Sequence, residues 1–543
     1  MDVKDLASSG LQNCSVTAIV SGPESGDDAT LARLGKKPVL QRRFSFITSL
    51  GFSCTVLITW EGSLFVFLSG LLNGGPSGII YGYILVWAGM LSLMITLSEM
   101  VSMAPTSGGQ YHWVSMLAPP SYQKALSYVT GWLTLTGWQA AIASTGLLTG
   151  SMILSLAALT NPSYGEHMQN WHATLILWAV LLLIYGINTA FPSLFAKFEG
   201  FAFVIHILGF FGIIFPLVFL SDHASPGEVF DSWMNAGGWQ TQGLSFSIGI
   251  LGNVFAFVGG DAAMHLSEEI QNAPVVVPWS LMATLLINGT LGFAMLIATL
   301  FSMGDLDAAL EESPAFPYMA IFRRAVGSVA GAVAMSSIII VMIFVSATGV
   351  LTSTSRVYFA LARDQAIPGW RFLKKTSPRT KIPANAVLVT VVIAAALSLI
   401  NIGDNTAFNG VISVSIAGLF GSYLVPSSLL LYRRLTGGIQ ETAAGPADAL
   451  ANTANSTLVW GPWRLRGILG VANNAFTCVY LVYVLFFSFW PASRNVTPQT
   501  MNWAFLATTV IVTLNIVYYL LWAKNTYKGP LVEVDREGTN GGK

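Results

Sequence analysis

Residues 44–72 read FSFITSLGFSCTVLITWEGSLFVFLSGLL, and this stretch decides the fold. It carries a single charged side chain, Glu61, close to its middle. A bilayer core of about 30 Å is crossed by a helix of roughly 20 apolar residues. The stretch therefore predicts a membrane-spanning helix with a carboxyl group at bilayer depth, where ionisable groups are costly and usually functional.

The composition of the whole chain agrees with a membrane protein. Of its 543 residues 53% are hydrophobic and 10% are charged, whereas soluble domains carry about 25% charged residues. Apolar runs of spanning length recur about twelve times, and transmembrane strands would instead alternate in polarity. The predicted fold is an all-α polytopic bundle of about 12 transmembrane helices. The runs lie near residues 46–72, 78–103, 124–156, 171–190, 198–220, 243–267, 280–303, 329–358, 384–402, 408–432, 467–490 and 501–523.

The basic residues predict the orientation, because cytoplasmic loops are enriched in Lys and Arg. With the N-terminus inside, all but three of the 26 Lys and Arg residues are cytoplasmic; the exceptions are Arg323, Arg324 and Arg494. Asn495, in the NVT sequon of the last outer loop, is the expected glycosylation acceptor.

Three segments are expected along the chain. Residues 1–43 and 524–543 are polar and predict flexible cytoplasmic tails, and residues 44–523 form the predicted transmembrane domain. We find no phosphate-binding loop, no dinucleotide-binding glycine motif and no spacing typical of a metal site. We therefore expect neither enzymatic activity nor a cofactor or metal, and no nucleic-acid partner. Secondary transport, channel activity and sensing stay open.

Polar groups within the spans discriminate between these functions. The sixth span, SFSIGILGNVFAFVGGDAAMHLSEEI at residues 245–270, is interrupted before Asp261 by Gly252, Gly259 and Gly260. In the first span Gly62 and Ser63 follow Glu61. Glycine weakens a helix by about 1 kcal/mol relative to alanine, so both spans are predicted to break. Broken spans five apart are typical of an inverted five-helix repeat with its binding site between the breaks. The ionisable side chains within spans are Glu61, Glu99, His206, Asp261 and His265.

These groups suit a small amine. Freed backbone at the breaks holds a carboxylate, an acid holds an ammonium group or a proton, and nearby aromatic rings stack on a quaternary ammonium. The alternative is structural: the acids bond freed backbone and the aromatic rings pack. His206 is either proton-linked, since its reference pKa is about 6.5, or a neutral packing residue. The expected substrate-binding residues are Trp60, Glu61, Gly62, Ser63, Phe257, Gly259, Gly260 and Asp261; proton coupling is expected at Glu61, His206 and Asp261.

Two further motifs are expected to act at the cytoplasmic side. PTSGGQYHW, residues 105–113, has the proline and paired glycines of a tight turn, and we expect it to shape that turn rather than to contact substrate. Glu268 and Glu269 end the sixth span, where an inner-gate or interfacial role is expected.

Three stretches resemble a known family, the fungal amino acid/choline transporters of the amino acid-polyamine-organocation superfamily. They are SEMVSMAPTSGGQYHWVSMLAP at 98–119, NVFAFVGGDAAMHLSEEIQNAPVVVPWS at 253–280 and SRVYFALARDQAIPGW at 355–370. The resemblance implies a leucine-transporter-like fold, with a 5+5 inverted repeat plus two extra helices, and proton-coupled uptake at the plasma membrane. Relatives carry a glycine-rich break in the first helix, and residues 59–63, TWEGS, depart from that pattern. His206 stands near a position where several relatives have a lysine.

The expected function is secondary-active, proton-coupled transport of amino acids or small amines such as choline or GABA across the lipid bilayer. Two alternatives are a non-transporting nutrient sensor of the same fold, and an exporter or organellar carrier that serves a biosynthetic pathway.

Overall fold

The computed structural model describes residues 26–190, 192–313, 315–403, 405–442, 449–498 and 500–533. The remaining parts of the two predicted tails, 1–25 and 534–543, lie outside the described residues. Over the described ranges the chain is helical, and its only β-type pairing consists of three isolated bridges. The predicted all-α polytopic fold is confirmed.

Ten of the described helical segments are long and apolar enough to cross a membrane. They correspond to the second to fifth and the seventh to twelfth predicted spans. In chain order these are Phe67–Met103, Gln123–Thr160, Asn170–Ala190, Lys197–Leu220, Ala273–Phe301, Val329–Arg363, Ala384–Ile402, Gly410–Leu435, Gly467–Ser488 and Ala504–Thr526.

The first and sixth spans are broken, and they complete the set of twelve. The first consists of helices Phe46–Leu57 and Thr59–Phe65 and continues into the helix that starts at Phe67. Gly75 turns the chain into the second span with a φ of 68°; a Cβ there would lie 2.7 Å from the backbone of residues 232 and 234. The sixth span consists of helices Gln242–Gly249 and Leu251–Ala256 and the 3₁₀ helix Ala262–Glu269.

Shorter helices connect the spans. The segment Gln110–Leu117, which follows the PTSGG turn, is completely buried. The others are Gly26–Arg33, Pro162–Glu166, Pro226–Phe230, Leu306–Glu312, Pro317–Val326 and Trp370–Leu373.

Burial of the spans shows which of them surround the centre. Among the ten unbroken spans the tenth is the most buried and the twelfth the least, so the twelfth lies at the periphery. A Cβ on Gly418 of the tenth span would lie 2.7 Å from the backbone nitrogen of Gly137 in the third. Glycines at this crossing therefore allow the two backbones the close approach that membrane helices use.

The described parts of both tails pack on one face of the bundle. The backbone N–H of Glu533 donates to the carbonyl oxygen of Gly35 (2.6 Å), and that of Ala451 donates to Arg33 (3.1 Å). The N–H of Leu531 donates to Oδ1 of Asp364 (2.9 Å). The described parts of the two tails and the loops after the eighth and tenth spans therefore lie on the same side.

Candidate functional site

The first span breaks at Ile58, one residue before the predicted stretch 59–63. Ile58 has φ 38° and ψ 50°, the left-handed conformation, which costs a β-branched residue roughly 1–2 kcal/mol. The freed N–H of Thr59 donates to Oδ1 of Asn288 in the seventh span (3.1 Å). The position of the break therefore depends on a partner from another helix, and Gly62 and Ser63 lie inside the second half-helix.

The sixth span breaks where its glycines predict. The helix ends at Ala256, Gly259 adopts a φ of 97°, and helical structure resumes at Ala262. The two breaks face each other: a Cβ on Gly62 would lie 3.2 Å from Ala256, and one on Gly259 would lie 3.3 Å from Val56. Glycine at both positions therefore allows the broken segments to touch.

The eighth span forms hydrogen bonds with the backbone at both breaks. Ser346 Oγ donates to the carbonyl oxygen of Val56 (2.8 Å), and Ser353 Oγ donates to that of Ala262 (3.2 Å). The two serines are seven residues apart and so lie on the same face of one helix. A shift of the eighth span would therefore act on both breaks at once.

A small cavity of about 40 Å³ lies between the breaks. Its lining includes Gly62, Gly259, Trp138 of the third span and Ser346 of the eighth. This volume holds about a single water, whereas pockets for small molecules occupy about 300–1,000 Å³. The helices must therefore separate before a solute of amino-acid size can enter.

Glu61 lies in a fully buried cluster with Trp60 and His206. Oε1 of Glu61 is 2.7 Å from Nδ1 of His206, and Trp60 Nε1–H donates to the same nitrogen at 3.1 Å. Oε2 of Glu61 and Nε2 of His206 have no hydrogen-bond partner among the described residues. If Nδ1 carries a proton, Trp60 loses its acceptor; if it does not, its one lone pair faces Trp60 and Glu61 together. The hydrogen bonds of this cluster therefore depend on the number of protons that it holds.

Asp261 lies in a second buried cluster. Its Oδ2 accepts a hydrogen bond from Gln110 Nε2 (3.1 Å) and is 3.5 Å from Nε2 of His265, and Tyr423 is a further titratable group that faces it. Trp138 Nε1–H donates to Nε2 of His265 (3.1 Å), and Nδ1 of that ring lies 3.3 Å from the carbonyl oxygen of residue 107. This network fits a neutral His265 with its proton on Nδ1.

The predicted site residues thus fall into separate groups. Glu61 and Asp261 have different partners, and neither lines the cavity. The Phe257 ring packs against Tyr83 with centroids 5.2 Å apart, and Ser63 Oγ donates to the carbonyl oxygen of its own helix at residue 59 (2.9 Å). In this conformation Trp60 and Phe257 are buried against other aromatic rings, as expected if these two residues pack instead of contacting substrate.

Buried ion pairs join the sixth and eighth spans at the face that carries the chain ends. Glu268 binds both terminal nitrogens of Arg363 (2.8 and 2.9 Å), and Glu269 binds Arg356 (2.7 Å). The N–H of Ser107, in the PTSGG turn, also donates to Glu268 (3.0 Å). The pair of glutamates therefore connects the broken sixth span to two neighbouring elements.

Asp364 is the centre of a neighbouring network. It accepts hydrogen bonds from Lys36 (2.6 Å), Tyr111 (2.7 Å) and the backbone of Leu531 (2.9 Å). Burial opposes its ionisation, but the Lys36 ammonium and the Arg363 guanidinium hold the pKa of Asp364 below its usual value.

Sequence reasoning missed two residues of these clusters. Glu199 is fully buried in the fifth span and bonds Thr55, although it was not among the ionisable residues expected within the spans. Gln110 bonds Asp261 although the PTSGGQYHW motif was expected only to shape a turn. The uncharged glutamine carried no signal of its own, whereas Glu199 was visible as a carboxyl group within a predicted span. Asn495 lies in an exposed loop between the last two spans, which leaves its glycosylation a prediction.

Comparison with known proteins places the chain in a family. Residues 44–514 match the family model described as amino acid permease. A Macrophomina phaseolina protein named amino acid/polyamine transporter is 30% identical over 84% of this chain and 96% of its own length. The choline transporter of Saccharomyces cerevisiae is 28% identical over 90% of this chain and 82% of its own length. Amino-acid permease 2 of Neurospora crassa is 25% identical over 96% and 92%. The chain belongs to the amino acid permease family, and is a membrane transporter rather than an enzyme.

Proposed function

We propose that this permease is a proton-coupled carrier that takes up a small amine-bearing solute, such as choline, GABA or an amino acid. The observation that carries the proposal is the cluster of Trp60, Glu61 and His206, whose hydrogen bonds change with its protonation. Since Glu61 lies three residues after the break at Ile58, a proton gained or lost there acts directly on the hinge of the first span.

The substrate site is proposed to lie between the two breaks, at the present cavity. Separation of the third and eighth spans from the breaks would enlarge this space and bring Oε2 of Glu61, which has no hydrogen-bond partner among the described residues, within reach of an ammonium group. The proposed binding residues are Trp60, Glu61, Gly62, Ser63, Phe257, Gly259, Gly260 and Asp261.

Proton coupling is proposed at Glu61, His206 and Asp261. The contrast between the two histidines supports this assignment. Both ring nitrogens of His265 have partners. In the part of the chain that the structure describes, His206 has one nitrogen without a partner, and its other nitrogen is approached by two groups. A change in protonation therefore alters the hydrogen bonds of His206 more than those of His265.

We place the carrier in the plasma membrane with both termini in the cytoplasm. The positive-inside distribution of Lys and Arg supports this orientation. The contacts of the chain ends with each other and with Asp364 support a common side for both ends and for the basic loop after the eighth span.

Uptake into proteoliposomes tests the proposal. Purified protein is reconstituted and given an inward proton gradient, and accumulation of radiolabelled choline, GABA, arginine, proline and spermidine is measured in turn. We expect accumulation of at least one of these solutes that collapses when a protonophore is added. Transport without any response to the proton gradient would overturn the proposed proton coupling. If no amine or amino acid is taken up, the proposed carrier function itself is overturned.

A further inference from the structure

Glu199 in the fifth span is a buried carboxyl group that the mechanism above does not use. Its side chain has no exposed surface, and its Oε2 lies 2.6 Å from the hydroxyl of Thr55 in the first half-helix. Oε1 has no hydrogen-bond partner among the described residues. No Lys, Arg or His of the described chain forms an ion pair with it, and the nearby Lys197 is exposed. A carboxylate buried without a cation is costly, whereas a protonated carboxyl group is not.

The hydrogen bond between Glu199 and Thr55 can form in both protonation states of Glu199. The Thr55 hydroxyl also lies 3.0 Å and 3.1 Å from the carbonyl oxygens of Gly51 and Phe52. A hydroxyl group has only one proton to donate. When Glu199 is protonated it donates to Thr55, which donates in turn to its own helix; when Glu199 is ionised, Thr55 rotates to donate to it.

The surroundings of Glu199 separate it from water and from the Glu61–His206 pair. Glu199 and His206 are seven residues apart, about 10 Å along the same helix face, and Phe203 lies between them with its ring stacked on His206. One turn earlier, Phe195 packs against the rings of Phe44 and Phe52 with centroid distances of 6.3 Å and 6.2 Å. This face of the fifth span therefore alternates between aromatic and titratable side chains.

The broken first span supplies a way to open this arrangement. Thr55, Gly51 and Phe52 all belong to the half-helix Phe46–Leu57, which ends at the break at Ile58. This half-helix packs beside the fifth span: a Cβ added to Gly51 would lie 3.5 Å from the Cβ of Phe203 and 3.7 Å from the carbonyl oxygen of Glu199. Movement of the half-helix about Ile58 would take Thr55 and Phe52 away together and admit water to Glu199.

We propose that Glu199 is a second proton-binding site of the carrier, which takes the coupling proton after the Glu61–His206 pair and releases it to the cytoplasm. The only bonds that change are O–H and N–H bonds: Glu199 becomes neutral as the pair loses one proton, and it later loses the same proton to cytoplasmic water. This role rests on the proposed proton coupling. In this proposal the position of the half-helix Phe46–Leu57 controls two things, the path of the solute and the release of the proton.

The test compares two transport modes in proteoliposomes, using the solute of the panel that the wild-type protein accumulates most. Accumulation driven by a pH gradient requires net proton release, whereas exchange of labelled for unlabelled solute at equal pH does not. For Glu199→Gln we expect accumulation to fall about tenfold or more beyond any loss of exchange. Glu199→Asp, which keeps a titratable group, should recover part of the accumulation, and Glu166→Gln, at an exposed position, serves as the control.

Three outcomes overturn the proposal. The first is accumulation by Glu199→Gln with the wild-type pH profile, and the second is equal loss of both transport modes in a variant that melts like the wild type. If Glu199→Gln does not fold, Thr55→Val replaces it and should move the pH midpoint of accumulation; an unchanged midpoint is the third. If wild-type accumulation ignores the proton gradient, the proposed function itself fails, and this result is read before any variant is compared.

Discussion

The ammonium nitrogen of Lys36 lies 2.6 Å from Oδ1 of Asp364, and both side chains are almost completely buried. This pair joins the segment before the first span to the end of the eighth, 328 residues later. Because Asp364 also holds Tyr111 and the backbone of Leu531, one carboxylate connects both chain ends to the buried helix Gln110–Leu117.

Lys36→Ala should therefore destabilise the protein. Removal of one partner of a buried ion pair costs about 3–5 kcal/mol. Since the pKa of Asp364 lies below its usual value of 3.8, the ion pair contributes stability above that pH and loses it only as the pH falls through the lowered pKa. We expect a melting temperature in detergent several degrees below the wild type throughout the neutral range. Lys375→Ala, at an exposed position, is the control, and equal melting of both variants would contradict the prediction.

His112 should make stability sensitive to moderate acid. Burial, together with the nearby Lys36 ammonium, lowers the pKa of His112 from 6.5 to about 4. Below pH 6.5 the unfolded chain binds a proton that the folded protein excludes, so stability falls as the pH drops from 6.5 towards 4, by about 3 kcal/mol at most. We expect His112→Gln to flatten the dependence of melting temperature on pH over this range. His167→Gln, at an exposed histidine, should keep the wild-type slope.

Glu61→Gln should abolish uptake without loss of protein at the cell surface. The amide keeps the size of the side chain but cannot bind a proton or hold an ammonium group by charge. Uptake and surface labelling are measured in yeast that lack the endogenous carrier for the same solute, with Glu166→Gln as the matched exposed control. Normal uptake by Glu61→Gln would place the proton and substrate sites elsewhere.

His206→Ala should mainly change the pH dependence of transport. Nδ1 of the imidazole lies 2.7 Å from Oε1 of Glu61, so removal of the ring takes away the direct partner of this carboxyl group. We expect uptake that responds less to external pH between about 5 and 8. His167→Ala tests whether any histidine has this effect, and a wild-type profile for His206→Ala would leave the ring with a packing role only.

Gln110→Leu should reduce uptake by way of Asp261. The variant leaves a buried carboxyl group without its amide donor, at a cost of about 1–3 kcal/mol, which corresponds to a loss of uptake of roughly 5- to 150-fold if the site must stay in this geometry during transport. Gln110→Glu should be more harmful, because it places a second acid beside Asp261. Gln169→Leu, at an exposed glutamine, is the control, and uptake by Gln110→Leu at its level would show that this contact is dispensable.

Much of the fold could be predicted because hydropathy and glycine content act locally. The span 44–72 and the glycines before Asp261 indicate where helices form and where the sixth one fails, whatever lies beside them. The same reasoning put the first break at residues 59–63, but the structure has it at Ile58. That difference arises because Asn288, more than two hundred residues away, accepts the hydrogen bond that the broken helix releases.

The amino-acid sequence by itself determined the class of protein, its twelve spans and the presence of two broken helices. Tertiary structure decided which buried groups meet: Glu61 pairs with His206 and Asp261 with Gln110, instead of the two acids sharing one site. It also brought Glu199 against Thr55 and Lys36 against Asp364. The physical reason is that the sequence alone reveals a carboxyl group within a span, which is costly to bury. The partner that offsets this free-energy cost depends on how helices far apart in the chain pack together.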